Sequence, residues 1–385
     1  MSSLTLEWLD SLARIDADDW NALAGTDNPF VRHEFLLSLE ESRCVSPQTG
    51  WTPHHLLLRN SDSDLVALAP TYLKTHSRGE YVFDWGWADA YDRYGVPYYP
   101  KLLTAVPFTP STGPRLIIRP GYNAADIGRL IADALQDKAL ETGLSSWHIL
   151  FPDQASFDAL RDAGFSIRLG CQFHWHNEGF RDFDDFLGGM TARKRKCIRR
   201  ERRSVDEQDI RFQTFEGADI DDTVLDAFYD FYCATYFKRG QPPYLNQEFF
   251  RLLRERMPEQ LLLVMALKDN RYVAGALFLK NRDTLFGRYW GCLEEYNHLH
   301  FETCYYQGID YCIRSGLSRF DAGAQGEHKI QRGFRPILTQ SLHWIAHPDF
   351  RAAIDRFLEE ETPEVESYRQ AAEGLLPFRR GDEPQ

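Results

Sequence analysis

The densest cluster of reactive side chains in the chain is Gln325-Gly-Glu-His-Lys-Ile-Gln-Arg-Gly-Phe334. On a helical turn His328 and Arg332 fall four apart on one face, with Glu327 and Lys329 beside them. A group titrating near neutrality thus lies next to two cations. That combination suits acyl transfer to an amine, in which the nucleophilic nitrogen must lose a proton and the carbonyl oxygen must carry stabilised negative charge. Glu327 or His328 can serve the first need, Lys329 or Arg332 the second. Small residues in the preceding Phe320-Asp-Ala-Gly-Ala324 would let a substrate approach the backbone closely. The plainer alternative is a solvated amphipathic turn, its Glu at the helix start and its Arg at the end.

A second candidate is electrostatic. Arg193-Lys-Arg-Lys-Cys-Ile-Arg-Arg-Glu-Arg-Arg203 places eight basic residues and one acid in eleven positions of a chain whose net charge is -13, which leaves -20 for the rest. A cationic strip on an anionic body attracts phosphates or nucleic acid. Arg195, Arg199 and Arg202 share one helical face and are the candidate phosphate contacts; a charged helix simply facing water is the alternative. Further substrate-binding candidates are Arg332, Glu302, and Trp85, Asp89, Arg93 and Lys101 of an aromatic stretch that suits stacking on sugar rings, peptides or bases. Glu302 sits in the first turn of a predicted helix, where any acid is favoured by the dipole. His174 and His176 share a strand face, but no third ligand accompanies them, so no metal site is expected.

Positioning these groups requires sizeable cores, and 385 residues with 43% hydrophobic and 14% aromatic content supply them, with two domains expected. The N-terminal residues carry neither a basic segment nor a long apolar one, and Leu261–Leu267 is too short to span a bilayer, so a cytoplasmic protein without stable membrane insertion is expected. Seven scattered cysteines without a C-x-x-C pair suggest reduced thiols.

Element order repeats. In the first half, strands are predicted at Leu4–Leu9, His55–Arg59, Leu65–Lys74, Tyr81–Trp87, Arg115–Ile118, Trp147–Phe151 and Phe165–His176. Helices are predicted at Ala17–Leu23, His33–Ser42, Ala124–Glu141 and Gln154–Ala163. The second half offers strands Ile210–Phe215, Leu261–Leu267, Val273–Lys280, Leu285–Gly291, Arg319–Ala322 and Leu338–Ala346. Its helices are Asp222–Phe237, Gln247–Arg256, Phe301–Ser315 and a short Glu327–Gly333. Periodicity carries these assignments: Phe301, Cys304, Tyr305, Gly308, Ile309 and Cys312 recur at helical spacing, while Leu261–Leu267 is an unbroken apolar run suited to a buried strand.

This order resembles the GNAT acyltransferase fold, present twice, and predicts an α/β (α+β) chain of two tandem GNAT-like domains, residues 1–176 and 177–385. Each would be a mixed, mostly antiparallel sheet flanked by helices, the second carrying the site. The blocks Asn28-Pro-Phe-Val-Arg-His-Glu-Phe35, Tyr98-Tyr-Pro-Lys101, Val106-Pro-Phe-Thr-Pro110, Tyr289-Trp-Gly-Cys292, His300-Phe-Glu-Thr-Cys-Tyr-Tyr-Gln307 and Gly323-Ala-Gln-Gly-Glu-His-Lys329 resemble the FemAB-like family of peptidoglycan biosynthesis or recognition proteins. The resemblance implies transfer from aminoacyl-tRNA, as in the Fem-type peptidyltransferases, to an amine-bearing small molecule or cell-wall peptide. Acyl-CoA is the alternative co-substrate, and non-catalytic recognition of cell-wall peptide or glycan is the alternative function. The connection Cys292–Phe301 lacks the glycine-containing pyrophosphate loop of CoA-dependent GNAT enzymes and carries two acids instead, which favours the tRNA donor.

Overall fold

The computed structural model describes residues 4–379 apart from Gln325. In chain order the elements are β1 (Thr5–Leu9), α1 (Ala17–Ala24), α2 (His33–Glu41), β2 (Trp51–Pro53), β3 (His55–Arg59), β4 (Leu65–Ala69), β5 (Thr71–Lys74), α3 (Trp85–Arg93), β6 (Lys101–Thr104), β7 (Ile117–Ile118), α4 (Ala124–Thr142), β8 (Ser146–Leu150), α5 (Gln154–Leu160) and β9 (Ser166–His176). There follow α6 (Phe183–Gly188), α7 (Ala192–Asp206), β10 (Arg211–Glu216), α8 (Asp222–Phe237), α9 (Gln247–Arg256), β11 (Leu261–Lys268), β12 (Arg271–Lys280), β13 (Thr284–Cys292), α10 (Leu299–Phe301), α11 (Gln307–Ser315), β14 (Arg319–Asp321), β15 (Arg335–Ile345) and α12 (Pro348–Glu373).

Contacts divide the chain into two compact units, Met1–Gly170 with Leu338–Glu366 and Cys171–Ile337 with Ser367–Gln385. Where the sequence divides at 176/177, the contacts divide at 170/171 and return Leu338–Glu366 to the first unit, because β15 pairs antiparallel with β8 through Ser341–Ile345.

In the first unit, β1, β3, β4 and β7 form one sheet and β2, β5, β6, β8 and β15 are neighbours in another. The expected single strand Leu65–Lys74 is two strands in different sheets. Pro70 separates them, having no N–H to extend a ladder. The expected strand Tyr81–Trp87 is instead a turn leading into α3, with Asp84 at its N-cap position. Of Arg115–Ile118 only β7 is extended, since the buried Arg115 side chain turns inward to donate to the carbonyl oxygens of Leu150, Ser111 and Pro114.

In the second unit the strand order is β10-β11-β12-β13-β14-β9, antiparallel except for β13 with β14. Helices α8 and α9 start where side chains satisfy orphan amides: Asp221 accepts from Val224 N at 2.9 Å and Asn246 from Phe249 N at 3.0 Å. Two glycines permit close packing. A Cβ on Gly291 of β13 would lie 1.8 Å from the Phe231 carbonyl oxygen of α8, and one on Gly308 of α11 would lie 2.5 Å from the Phe320 ring of β14. Phe278, Ile309, Cys312, Phe320 and Phe334 meet in the resulting core.

Candidate active site

The central feature of the second unit is a wedge. β13 and β14 pair in parallel only at Thr284–Phe286 with Arg319–Asp321, after which β14 ends while β13 continues to Cys292. The register of β12 against β13 slips so that Leu277 faces Tyr289 and Phe278 faces Gly287, leaving Arg288 as the extra residue of a bulge. A cavity of about 100 Å³ occupies the opening, lined by strand residues including Arg288, Trp290 and Ala322 and by His300, Cys304 and Tyr305 from the helical side.

That helical side is irregular. Between α10 and α11 lies a π-helical turn, Glu302–Tyr306, the kind of local insertion that re-aims side chains at functional sites. The residue before α10, His298, adopts φ 63° and provides no side-chain cap.

Glu327–Arg332 forms a 3-10 helix after Gly326, whose φ of 117° favours glycine. With three residues per turn, consecutive side chains diverge. Glu327 is exposed and accepts from the Tyr368 hydroxyl at 2.8 Å. His328 is exposed too, with Nε2 2.8 Å from the hydroxyl of the cavity-lining Tyr305. Lys329 turns inward, only 1% exposed, and its Nζ donates to the Gly323 carbonyl oxygen at 2.7 Å. Burial lowers the Lys329 ammonium to about 8, against the opposing pull of Asp321. Burial also lowers His300 to about 4, with His328, Arg332 and Lys329 adding to the effect; His328 is lowered by burial and by the same two cations. Both imidazoles are therefore neutral at pH 7.

The expectation that His328 and Arg332 share one helical face is corrected by this geometry. The Arg332 guanidinium is buried, 3.4 Å from the Phe301 ring centroid, and donates to Glu201 Oε2 at 2.9 Å and to the His328 carbonyl oxygen at 2.8 Å. The Tyr306 hydroxyl donates to the same Glu201 carboxylate. Arg332 thus positions the turn against α7 and α10. Glu302 is likewise internal: it pairs with Arg202 at 3.0 Å and accepts from Gln307 at 2.8 Å, and its carboxyl pKa is raised by burial against the pull of Arg202.

The basic helix α7 presents a different face from the one expected. Arg202 packs over Phe183 and pairs with Glu302 and Asp310, Arg195 donates to the Gly188 and Met190 carbonyl oxygens, and Arg199 pairs with Asp184. Ile198, Glu201 and Val205 mark the buried side. Arg193, Lys196, Arg200 and Arg203, spaced three and four apart, are exposed, and none makes a side-chain hydrogen bond or ion pair among the described residues.

Trp85, Asp89 and Arg93 lie on α3 of the first unit, all exposed, the last donating to the Asp89 carbonyl oxygen at 3.3 Å. Lys101, by contrast, is fully buried and bonded to Ser77 at 2.9 Å, Glu80 at 2.8 Å and Asp84 at 2.5 Å. From Asp84 the chain of contacts continues through the Tyr98 hydroxyl to His148, whose Nδ1 is 2.7 Å from His343 Nδ1. Burial holds His148 well below its ordinary value and His343 at about 3. His174 of the second unit is held at about 4 by burial, 3.5 Å from Asp321.

These neutral buried histidines have an acid-stability consequence. Unfolded, each protonates near 6.5; folded, His174 resists until about 4 and His343 until about 3, and His148 is held well below its ordinary value. Their stabilising contribution is full above pH 6.5 and is lost as pH falls toward 4, at up to ~1.4 kcal/mol per pH unit per group. Urea midpoints measured at pH 7, 6 and 5 should fall steadily, and a flat series would contradict the assignment.

Sequence reasoning did not select His300, Tyr305, Cys304, Trp290 or Arg288 as site residues. A signal existed, since all except Arg288 lie inside the quoted blocks Tyr289–Cys292 and His300–Gln307, but the bulge and π-turn that aim them are set by packing.

The mixed, mostly antiparallel sheets, the splayed wedge and the helix at its mouth define a tandem GNAT-like α/β protein. Comparison of sequences is more particular: the chain belongs to the FemAB-like family, described as peptidoglycan biosynthesis/recognition, whose model matches residues 11–380. No curated protein matches the chain in sequence. Among solved structures, the chain is similar to FemX, at 12% identity and a TM-score of 0.51 over 88% of this chain and 98% of that one. It is also similar to the C-terminal domain of a putative lysylphosphatidylglycerol synthetase from Agrobacterium fabrum, at 9% identity and TM-score 0.51 over 90% and 97% of the two chains. A conserved protein of unknown function from Bacteroides thetaiotaomicron gives 11%, 0.51, 88% and 99%. These likenesses establish the fold. No helix among the described residues is long and apolar enough to cross a membrane.

Proposed function

We propose that the protein transfers a small acyl or aminoacyl group from an activated donor to an amine, with the site in the second half, residues 177–385. The observation that carries this reading is the wedge cavity, which Tyr305 and His300 line; Lys329, outside that lining, is held as a buried ammonium on the carbonyl oxygen of Gly323, next in sequence to the cavity residue Ala322. A cavity of about 100 Å³ is smaller than the ~150 Å³ apolar cavity that admits a benzene, and suits an acetyl, glycyl or alanyl group rather than a long chain. In the step proposed, the amine nitrogen attacks the donor carbonyl carbon, the N–C bond forms, and the bond to the donor oxygen or sulfur breaks. Lys329 stabilises the charge that develops on the carbonyl oxygen. The proton leaving nitrogen passes to the Tyr305 hydroxyl as that hydroxyl gives its own to neutral His328 Nε2, and the reverse shift protonates the leaving group. Because His328 is exposed, the same pair links the cavity to solvent.

An aminoacyl-tRNA donor is favoured over coenzyme A. Glu294 and Glu295 stand exposed in the connection before α10, where a pyrophosphate would be repelled. The exposed stripe Arg193, Lys196, Arg200 and Arg203 offers unengaged cations for a phosphate backbone. The acceptor class is an amine-bearing small molecule or cell-wall peptide, in keeping with the family. The deciding experiment offers radiolabelled aminoacyl-tRNA and acetyl-CoA in parallel to a panel of amines. Transfer from charged tRNA supports the reading, transfer only from acetyl-CoA replaces the donor, and no transfer from either sinks it.

The stripe makes a separate prediction. Each neutralised phosphate adds roughly 0.7–0.9 to the slope of log affinity against log salt. Changing Arg193, Lys196, Arg200 and Arg203 together to Gln should flatten that slope by about 3 and leave the acceptor KM unchanged. An unaltered slope in a folded quadruple variant would remove α7 as the tRNA contact.

A further inference from the structure

The exposed end of the reactive turn is tied down from a distance. The Glu327 carboxylate accepts from the hydroxyl of Tyr368, 41 residues on, in the part of α12 that belongs to the second unit. A phenol donating to a carboxylate makes a charge-assisted bond, stronger than a neutral one. Tyr368 is held in place to make it, because the chain beyond it is anchored on the same unit. The Leu375 carbonyl oxygen accepts from Gln331 Nε2 at 3.1 Å, the Pro377 carbonyl oxygen accepts from Thr191 N at 2.9 Å, and Arg379 N donates to the Gly189 carbonyl oxygen at 3.0 Å. Phe378 packs on Phe186 and lies 5.2 Å from the Arg335 guanidinium.

The tie matters to the neighbouring imidazole. His328 folds back over Gly326, where a Cβ would lie 2.4 Å from its ring carbon Cε1. Its Nε2 is committed to the Tyr305 hydroxyl, while Nδ1 has no hydrogen-bond partner among the described residues. Around the ring stand Lys329 and Arg332 of its own turn, neutral His300 of α10 and Tyr305 of the π-helical turn. The charges that disfavour its protonation are those two cations; the carboxylate of adjacent Glu327, which would favour it, is turned to Tyr368 instead. An opposite charge within about 4–6 Å stabilises a charged imidazole. Released, the Glu327 side chain would reach the open Nδ1, and the base that the relay needs would be protonated at higher pH.

We propose that Tyr368 is a positioning residue: by holding the Glu327 carboxylate away from the imidazole, it keeps His328 free to take the Tyr305 proton. The catalytic consequence rests on the transfer reading, whereas the side-chain arrangement is measurable without it.

The test uses the full chain, labelled with carbon-13 at histidine Cε1, and follows the imidazole signals by NMR across a pH titration. The His328 signal is the one lost in His328→Gln. Tyr368→Phe deletes one oxygen from a ring that is 39% exposed and leaves the other anchors in place, so the variant is expected to fold. It should raise the His328 midpoint by about 0.5, in keeping with a partly exposed ion pair. Adding Glu327→Gln should return the midpoint to the parent value. In transfer assays the acid limb of kcat should move up by the same amount, about a threefold loss on that limb, with KM unchanged. An unmoved His328 midpoint in Tyr368→Phe overturns the proposal, as does a rise that persists in the double variant. A raised midpoint with an unmoved acid limb removes His328 from the reaction, and with it the role of Tyr368. Absence of transfer from every donor sinks the transfer reading instead, and the titrations alone then decide whether Tyr368 holds Glu327 off.

Discussion

Replacing Lys329 with Met is expected to lower transfer turnover by about 10² or more, the cost of losing a preorganised donor at a developing oxyanion. Stability alone cannot diagnose the role. Lys329 is buried and bonded to Gly323, so its loss also leaves an unpaired carbonyl and a less compensated Asp321. The pH profile separates the two explanations. With the ammonium held near 8, activity that needs the cation should fall as pH rises through about 8, and Lys329→Arg should move that limb upward while restoring part of the rate. On the acid side, if the His328–Tyr305 pair carries the proton, activity should fall as His328 protonates, at a pH below its ordinary value because burial and the nearby cations lower it. His328→Gln should remove that limb. If Lys329→Met retains turnover within about threefold and an unchanged high-pH limb, the oxyanion role is wrong and Lys329 is a buried structural lysine.

Much of the scaffold behind that experiment is legible in the residues. The helices at 222–237 and 247–256 follow from their apolar spacing and caps, and the unbroken Leu261–Leu267 run is a strand buried from Leu261 to Ala266, as its composition implies. The reactive decapeptide contains the short helical segment its sequence predicts, but its 3-10 pitch sends Glu327, His328 and Lys329 in three directions, a difference no spacing rule distinguishes over six residues. The phase of α7 is readable in the sequence and differs from the one expected for Arg195 and Arg202. Ile198 and Val205, seven apart, already mark the buried face, and Arg195 and Arg202 lie three before and four after Ile198 on that same side. Other features were not legible because distant residues set them. Asp84 opens α3 where local composition suggests a strand, and its carboxylate is held by Lys101 and Tyr98. The 26-residue helix α12, whose charged sequence includes an internal Pro363, did not stand out from its pattern.

Lys101 shows how far burial can change the meaning of a residue, and Lys101→Ala is expected to cost about 3–5 kcal/mol of folding stability, the usual penalty for breaking a buried ion pair from one side. Its ammonium lies between Glu80 and Asp84, both nearly inaccessible. Burial already raises the Glu80 carboxyl to about 7, with Lys101 opposing the rise, whereas Lys101 and His148 outweigh burial at Asp84 and hold it below its usual range. Without Lys101, Glu80 and Asp84 would share a site that excludes water with Lys74 alone, 3.8 Å from Glu80, to offset their charge. Glu80 would then take up a proton, its folded value rising further above the unfolded one near 4.3. A group with a raised folded value loses its stabilising contribution as pH increases, so the deficit of the variant should be smaller at pH 5 than at pH 8. Adding Glu80→Leu should recover part of the loss, because it removes the stranded charge together with its desolvation cost. A substrate-binding role, the reading its residue type and aromatic neighbours invite, predicts the opposite: folding stability unchanged within ~0.5 kcal/mol and a raised acceptor KM. Urea unfolding of the single and double variants at pH 5 and 8, with KM measured on the folded fraction, decides between a buried keystone and a ligand.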